Sequence, residues 1–164
     1  MRTLFAASLA LLIAAPALAQ EPVGCDKFKW PVERERMMLS APVALPDGGD
    51  IKQPLSSAYA VPMRDYAAAK LPMPPSREPK GKSNAGAVSV AALPRPGTYK
   101  ITLNEGAWID VFQNGKELKA GAFSGVHGCD GIRKSVKFEI GEGPFSIQLT
   151  GTTADKVNLV ITPE

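Results

Sequence analysis

Apolar and polar residues alternate along several short segments in the second half of the chain, and this pattern limits the possible folds more than any other feature. The clearest segments are residues 99–103, 136–140, 145–149 and 157–161. A period of two is that of a β-strand with one buried face, and Gly, Asn and Pro separate the segments. Short strands at this spacing predict an all-β domain over residues 86–164, an antiparallel, jelly-roll-like β-sandwich. The alternation also predicts that several outer faces of the sheets are wet.

Residues 108–112 are predicted to form a strand near the centre of a sheet. Ile109 and Val111 share one face of this strand, and the other face carries Asp110, placed towards a rim, between Trp108 and Phe112. The next four residues, QNGK, have the Asn-Gly signature of a tight hairpin. The returning strand is therefore predicted at 117–123, and the first strand of the domain at 87–93.

The N-terminus has the pattern of a secretory signal peptide over residues 1–19. Arg2 gives the positive start, residues 4–15 are apolar, and cleavage is predicted between Ala19 and Gln20. The apolar run is too short to span a membrane, which takes about 20 residues, and no later segment is long and apolar enough. The residues before Cys25 match a lipoprotein signal poorly. We therefore expect a soluble protein of the periplasm, or a secreted one.

The charge and length of the predicted mature chain restrict its partners. Removal of residues 1–19 takes only Arg2 from the 19 Lys and Arg residues, so that 18 face 16 Asp and Glu residues and the net charge is +2. The signs are interspersed along the sequence, without the clustered basic surface that nucleic-acid binding needs. The remaining 145 residues suffice for one domain with a core, and two domains are not expected.

The two cysteines, Cys25 and Cys129, are predicted to form a disulfide. Two cysteines in an exported protein are most simply explained by one structural bond. The sequence has no Cys-x-x-Cys motif, so a redox-active pair is not predicted. The bond would close a loop of about a hundred residues and contribute about 4 to 5 kcal/mol in the chain-entropy view.

Residues 20–42 are predicted to hold one short helix. The sequence WPVERERMML places Pro31 at the first helical position, where proline is tolerated because that N–H has no helical partner. Glu33 and Glu35 fall in the first turn, where negative charge suits the helix dipole. The helix is expected to end at Pro42. With the disulfide in place, it is predicted to be stapled to the sandwich and to cover an open face or end.

Residues 43–85 are predicted to be irregular. Prolines recur at positions 46, 54, 62, 72, 74, 75 and 79, which excludes a long helix or a central strand. We expect a short edge strand at 56–61, a turn or two of helix at 64–70 and an exposed loop at 71–84. The PMPP sequence of that loop is typical of a rigid connector, the alternative being a polyproline ligand for a partner.

The sequence contains no set of catalytic residues that specifies a reaction. A Ser-His-Asp set would use His127, the only histidine, with Ser124 or Ser135 and with Asp110 or Asp130. No nucleophile motif surrounds either serine. The carboxylates have no spacing typical of a glycosidase, and the Gly-rich turns lack a phosphate-binding pattern.

Neither a cofactor nor a metal centre is predicted. A single histidine cannot supply a site of two histidines and one carboxylate, and a zinc site would compete with the disulfide for the cysteines. Copper is kept as an alternative, because exported copper proteins use His and Met. Four methionines follow the predicted cleavage site: Met37, Met38, Met63 and Met73. They are not clustered, and core packing explains them more simply.

The loop around His127 is the predicted binding surface. Asp130, Arg133 and Lys134 flank it, and the predicted disulfide would hold it rigid at an end of the sandwich, where such folds place recognition. Trp108 could add an aromatic platform of the kind that binds sugars. The plainer alternatives are that Trp108 fills the core and that Arg133 and Lys134 are solvated surface charges.

Three stretches of the chain resemble a known family: GCDKFKWPVERER, GAWIDVF and GCDGIRKSVKFEIGEGPFSIQLTG. They are similar to small exported proteobacterial proteins with no established activity, some of which carry the label homogentisate 1,2-dioxygenase. The resemblance covers residues 20–42 and 86–163 and implies a family, not a reaction. The enzyme of that label is a much larger cupin with iron on two histidines and a glutamate, whereas this chain has only His127.

These features predict a non-enzymatic periplasmic β-sandwich protein that binds a small ligand or a cell-envelope partner. The signal-peptide pattern, the single predicted disulfide and the lack of a catalytic set in the sequence motivate this hypothesis. The enzymatic alternative is a mislabelled dioxygenase or a hydrolase that uses His127, and the third alternative is a copper-handling protein.

Overall fold

Within the described part of the chain, twelve strands form two sheets that pack face to face as a β-sandwich. The structure is a computed structural model, and it describes residues 21–164. In chain order the strands are β1 (Val43–Ala44), β2 (Asp50–Ile51), β3 (Tyr59–Pro62), β4 (Arg64–Asp65), β5 (Asn84–Val90), β6 (Gly97–Leu103), β7 (Trp108–Gln113), β8 (Lys116–Leu118), β9 (Ala120–Gly125), β10 (Lys134–Ile140), β11 (Phe145–Thr152) and β12 (Lys156–Pro163). A 3-10 turn (Cys25–Lys27) and one helix, α1 (Glu33–Leu39), precede them.

The two sheets are mixed but mainly antiparallel. Sheet 1 has the order β1-β3-β12-β6-β10-β9, and sheet 2 has the order β2-β5-β11-β7-β8, with β4 also paired to β5. The short pairs β1–β3 and β2–β5 are parallel. The predicted all-β sandwich with a short N-terminal helix is therefore confirmed. The predicted signal peptide and its cleavage site lie outside the described residues.

Alternating apolar side chains from both sheets fill the space between them. Ile101 and Leu159 of sheet 1 and Ile147 and Leu149 of sheet 2 are fully buried there. Burial of each such side chain is worth about 1.5–3 kcal/mol relative to exposure. Within the described residues the longest helix, α1, has only seven residues, and none could cross a membrane.

The N-terminal segment covers the outer face of sheet 1. Val32 and Leu39 pack with Val126, Ile132 and Val160 in a second apolar cluster, separate from the core between the sheets. The segment therefore covers a face of the sandwich, one of the two places that the sequence predicted. The helix begins at Glu33 after Val32, so the prediction that Pro31 takes the first helical position is wrong.

A buried ion pair fastens α1 to sheet 1. The Glu35 carboxylate lies 2.6 Å from Lys100 Nζ and accepts a hydrogen bond of 2.6 Å from the Thr162 hydroxyl. Burial pushes the pKa of Glu35 upwards, but the bonds from Lys100 and Thr162 outweigh it and leave the pKa below its usual range. The charged form of Glu35 is therefore the one that stabilises the docked helix.

The predicted disulfide is present between Cys25 and Cys129. It joins the start of the N-terminal segment to the loop before β10, across 104 positions of sequence. Two backbone hydrogen bonds continue the attachment, because His127 N–H donates to the Pro22 carbonyl and Gly24 N–H donates to the His127 carbonyl, each at 2.9 Å. Residues 22–25 are thus held along the 127–129 loop.

The loop at 71–80 covers the outer face of sheet 2. This face is therefore not open to water along the loop, although the alternation predicts that several outer faces are wet. The Gln148 side chain donates to the Met73 carbonyl at 3.0 Å and accepts from the Met73 N–H at 2.8 Å. The Asp110 carboxylate accepts from Ser76 N–H at 3.1 Å. Asp110 is only 3% exposed, so it lies beneath this loop. The prediction that Asp110 lies towards a rim is therefore wrong. A strand pattern cannot separate polar residues that face water from polar residues that bind a loop.

The segment 43–85 contributes short strands to both sheets. The strand predicted at 56–61 is β3, which lies between β1 and β12 and is not an edge strand. The helical turn predicted at 64–70 begins as β4 instead, because Arg64 and Asp65 pair with β5. The Asp65 side chain then accepts a hydrogen bond from Ala67 N–H and starts a turn.

The strand predicted at 117–123 is two strands in different sheets. β8 returns along β7 as the Asn-Gly hairpin predicts, but the chain then crosses to sheet 1, where β9 pairs with β10. The first strand of the domain, predicted at 87–93, is β5 and begins three residues earlier. Period-two patterns show that a residue is in a strand, but they do not show to which sheet it belongs.

Removal of the disulfide by the double substitution Cys25→Ser and Cys129→Ser should lower the free energy of unfolding by about 2–5 kcal/mol, because the unfolded chain loses a long closed loop. Urea denaturation of the oxidised protein and the double variant measures this. Peptide mass mapping without reductant provides the control. Free thiols at both positions in the native protein would contradict the bond.

Glu35→Gln should destabilise the protein at pH 7 by about 1–3 kcal/mol, because the bond to Lys100 loses its charge. A lowered pKa in the folded state means that this contribution is present above the pKa of the unfolded chain, about 4.3, and is lost as the pH falls through the folded value. The difference between wild type and variant in urea denaturation should therefore shrink from pH 7 to pH 3. Glu117→Gln, at an exposed carboxylate of β8, is the control, and a difference independent of pH would contradict the assignment.

Candidate functional site

A cleft of about 370 Å³ at one end of the sandwich gathers most of the residues predicted to bind a ligand. We call it the basic cleft. Its side chains come from the 71–80 loop, the start of β7, the junction of the 126–133 loop with β10, the end of β11 and the N-terminal segment: Arg77, Lys80, Trp108, Arg133, Lys134, Thr150, Glu21 and Glu78. The two sheets, the loop and the N-terminal segment thus meet at this one place.

Trp108 stands on the outer face of sheet 2 at the side of the cleft. Its Nε1–H donates to the Asp110 carboxylate and to the Ser76 hydroxyl, both at 2.9 Å. The side chains of Arg77 and Lys134 each lie 5.2 Å from the centre of a Trp108 ring. Trp108 is 37% exposed, so it neither fills the core nor presents a bare platform. The Trp108 rings lie within cation–π distance of both Arg77 and Lys134.

Lys134 is a partly buried cation of the basic cleft. It shares a strand face with Val136 and Phe138, so at the start of β10 its side chain leaves sheet 1 towards sheet 2. There its Nζ donates to the Ala107 carbonyl at 3.0 Å. Burial lowers the pKa of Lys134, against the field of Glu21, which raises it.

Arg133 connects the basic cleft to the predicted loop at His127. Its Nη2 is bonded to the Glu21 carboxylate and lies 3.1 Å from His127 Nε2. The same His127 nitrogen is 3.4 Å from Glu21 Oε2. Three groups, one acidic and two basic, therefore form a cluster at the mouth of the cleft, with the His127 side chain largely exposed.

The structure does not bring Asp130 to this site. Asp130 is exposed, and its backbone carbonyl accepts a hydrogen bond of 2.7 Å from Arg36 Nε of α1. The residue therefore contributes to docking of the helix and does not line the basic cleft. Of the residues predicted from the sequence, Arg133, Lys134 and Trp108 line the cleft, and His127 borders it.

Arg77, Lys80, Thr150 and Glu21 are cleft residues that sequence reasoning did not identify. Arg77 and Lys80 lie in the loop predicted to be exposed, which the fold brings over sheet 2. The charge signs are interspersed along the sequence, yet folding gathers four cations from two distant segments. Pairing of the cysteines was the one available signal for Glu21, because it places residue 25 beside residue 129.

The residues of the alternative functions are engaged elsewhere. Ser124 Oγ accepts from Lys29 N–H at 3.0 Å, and Ser135 Oγ accepts from Trp30 Nε1 and from the Thr102 hydroxyl. Both serines lie under the N-terminal segment. Met63 belongs to the core between the sheets, whereas Met38 packs in the cluster under α1. Within residues 21–164 no three His, Cys, Asp or Glu side chains converge as a metal site would require.

A larger cavity of about 580 Å³ lies farther along sheet 2, beside β5. Its charged pair, Arg64 and Asp47, is already joined at 2.6 Å. Small side chains of β5 and β11 form much of its wall, including Ala87, Ser89 and Ser146. Lys70 is the one other charged residue that lines this cavity among the described residues. The basic cleft is the stronger candidate because three of its cations lack such partners.

Three cations of the basic cleft are not paired with a carboxylate. Among the described residues, no Asp or Glu oxygen lies within 4 Å of the side-chain nitrogens of Arg77, Lys80 or Lys134. The Thr150 hydroxyl, on a residue only 1% exposed, also has no hydrogen-bond partner among these residues. The cleft thus has unused capacity to bind negative charge, and a buried hydroxyl without a partner lies in its wall.

Comparison of the chain with protein-family models, with curated proteins and with solved structures finds no match. The resemblance to small exported proteins therefore stays a prediction. The basic cleft is therefore the basis for a functional assignment.

Thr150→Val should leave the free energy of unfolding unchanged or raise it by up to about 1 kcal/mol, because the substitution removes a buried hydroxyl that lacks a partner. Thr162→Val is the matched comparison. It removes a hydroxyl that donates to Glu35 and should cost about 1–3 kcal/mol. Urea denaturation of both variants measures the contrast. Equal losses in the two variants would contradict the assignment of Thr150 as unpartnered.

Proposed function

We propose that this chain is a non-enzymatic periplasmic protein that binds a small ligand or a component of the cell envelope through the basic cleft. The observation that carries the proposal is a group of three cations, Arg77, Lys80 and Lys134, that pair with no carboxylate among the described residues. Two of them, Arg77 and Lys134, lie 5.2 Å from the centre of a Trp108 ring. Clustered cations in a partly desolvated cleft create a potential that attracts ligands of opposite charge. The cleft volume falls within the range of small-molecule sites.

The rigidity of the cleft supports a role in binding. Trp108 is fixed by bonds to Asp110 and Ser76, and Asp110 also holds the loop that carries Arg77. The Lys134 ammonium is held by the Ala107 carbonyl. Side chains that are already ordered lose less conformational entropy when a ligand binds, and this favours affinity.

The periplasmic location is supported by two features of different kinds. The first 19 residues have the pattern of a secretory signal peptide. The Cys25–Cys129 disulfide is a bond that forms and persists in oxidising compartments. The resemblance of three sequence stretches to small exported proteins agrees with the same proposal.

The proposal predicts that a ligand of the oxidised protein loses at least about tenfold in affinity in Lys134→Gln, because an enclosed charge contact is worth about 1.4 kcal/mol or more. The measurement begins with a thermal-shift screen against glycans, small metabolites and fractionated envelope extract. Calorimetry then compares each bound compound in wild type, in Lys134→Gln and in Lys119→Gln, an equal charge change at an exposed site outside the cleft.

Lys119→Gln should bind as the wild type does. Two outcomes would contradict the proposal: a ligand whose affinity is the same in all three proteins, or a compound that the wild type converts to a product.

A further inference from the structure

We propose that the ligand of the basic cleft is a small molecule carrying a carboxylate or phosphate group, and that this group takes the place of the Glu21 carboxylate on Arg133. This inference rests on the proposed function and names the chemical class of its ligand. It also assigns Glu21 a role as an internal competitor at the site.

The first support is the place that Glu21 occupies. Its carboxylate is bonded to the Arg133 guanidinium, and one of its oxygens is 3.4 Å from His127 Nε2. Its field also reaches Lys134, where it opposes the lowering of the pKa by burial. The chain thus already places one oxyanion among the basic groups of the cleft. An arginine fork binds carboxylate and phosphate groups by the same paired geometry.

The second support is the charge that Glu21 leaves uncompensated. The cleft is lined by four cations and two carboxylates, Glu21 and Glu78, which leaves a net charge of +2. The Glu78 carboxylate accepts a hydrogen bond of 3.0 Å from the Tyr66 hydroxyl. One internal carboxylate therefore does not neutralise the cleft. A ligand with one negative charge would halve the remaining charge of +2, and a ligand with two would cancel it.

The third support is the unpartnered hydroxyl of Thr150. Thr150 lies opposite Trp108 in the pairing of β11 with β7 and lines the cleft. It is only 1% exposed, and its hydroxyl has no hydrogen-bond partner among the described residues. Most buried polar groups of folded proteins have a hydrogen-bond partner, and among the described residues this hydroxyl is one of three such side-chain atoms without one, with Ser83 Oγ and Asn158 Oδ1. An oxygen of a bound ligand would satisfy this one once the groups that cover it shift, since the hydroxyl is closed to solvent here.

Glu21 is attached in a way that permits its side chain to leave. The backbone on its C-terminal side is fixed by the hydrogen bonds of Pro22 and Gly24 with His127 and then by the disulfide. The Glu21 carboxylate itself is 37% exposed, and a partly exposed ion pair contributes little to stability. Displacement of this carboxylate therefore needs no unfolding of the N-terminal segment.

Calorimetry with defined probes tests the proposal. Glucuronate and glucose 1-phosphate supply the carboxylate and the phosphate, and glucose is the neutral control. Glu21→Gln should bind at least one anionic probe several-fold more tightly than wild type, because the internal competitor is removed. Lys134→Gln should bind it at least about tenfold more weakly, and Lys119→Gln should equal wild type. Affinity should fall as NaCl is added, and glucose should not bind.

Glu78→Gln is the matched control for the charge change, because Glu78 lines the same cleft without contacting Arg133. Its effect should be clearly smaller than that of Glu21→Gln. Equal effects of the two substitutions would show that the general field matters and that displacement of Glu21 does not. Failure of Glu21→Gln to bind either anionic probe at millimolar concentration would also overturn the proposal.

One outcome separates this inference from the proposed function. Binding of glucose as tightly as the anionic probes, with loss of that binding in Lys134→Gln, would overturn the oxyanion as the ligand group. The basic cleft would nevertheless remain the binding site.

Discussion

The bond between Cys25 and Cys129 fixes the arrangement on which the rest of the molecule depends. It places the N-terminal segment on sheet 1, so that α1 can bury Val32 and Leu39 and insert Glu35 between Lys100 and Thr162. On the N-terminal side of Cys25, the same attachment places the Glu21 carboxylate beside Arg133. One covalent link therefore organises both the cover of a hydrophobic surface and the electrostatics of the basic cleft.

The sequence predicts the core of this fold better than it predicts what covers the core. Alternation in β6, β10, β11 and β12 assigns the apolar residues to the inner faces because each strand has only two faces. The surroundings of the outer faces are harder to predict. A polar residue such as Gln148 takes the same place in the alternation whether its side chain meets water or the backbone of a loop. Only the three-dimensional path of residues 71–80 decides between the two, and proline-rich chain has no periodicity from which to infer that path.

The residues of the candidate site likewise fall into two groups: those that the local sequence identifies and those that only the fold brings together. Arg133 and Lys134 follow a loop that the cysteine pattern marks as rigid, and Trp108 begins a strand with clear alternation. Arg77 and Thr150 have no local signal, because their importance comes from their proximity to residues far away in sequence. Asp130 shows the opposite error, since closeness to His127 along the chain does not place its side chain in the same cleft.

The central position of β12 makes sheet 1 depend on a strand near the end of the described residues. β12 lies between β3 and β6 in sheet 1, and it pairs with both. Until it is made, those two strands have no partner at the middle of the sheet, and each presents an unpaired edge on which aggregation can start. The disulfide partner of Cys25 likewise lies 104 positions farther along the chain. Sheet 1 is therefore complete only when β12 is in place, and loss of residues 156–163 would expose the edges of β3 and β6.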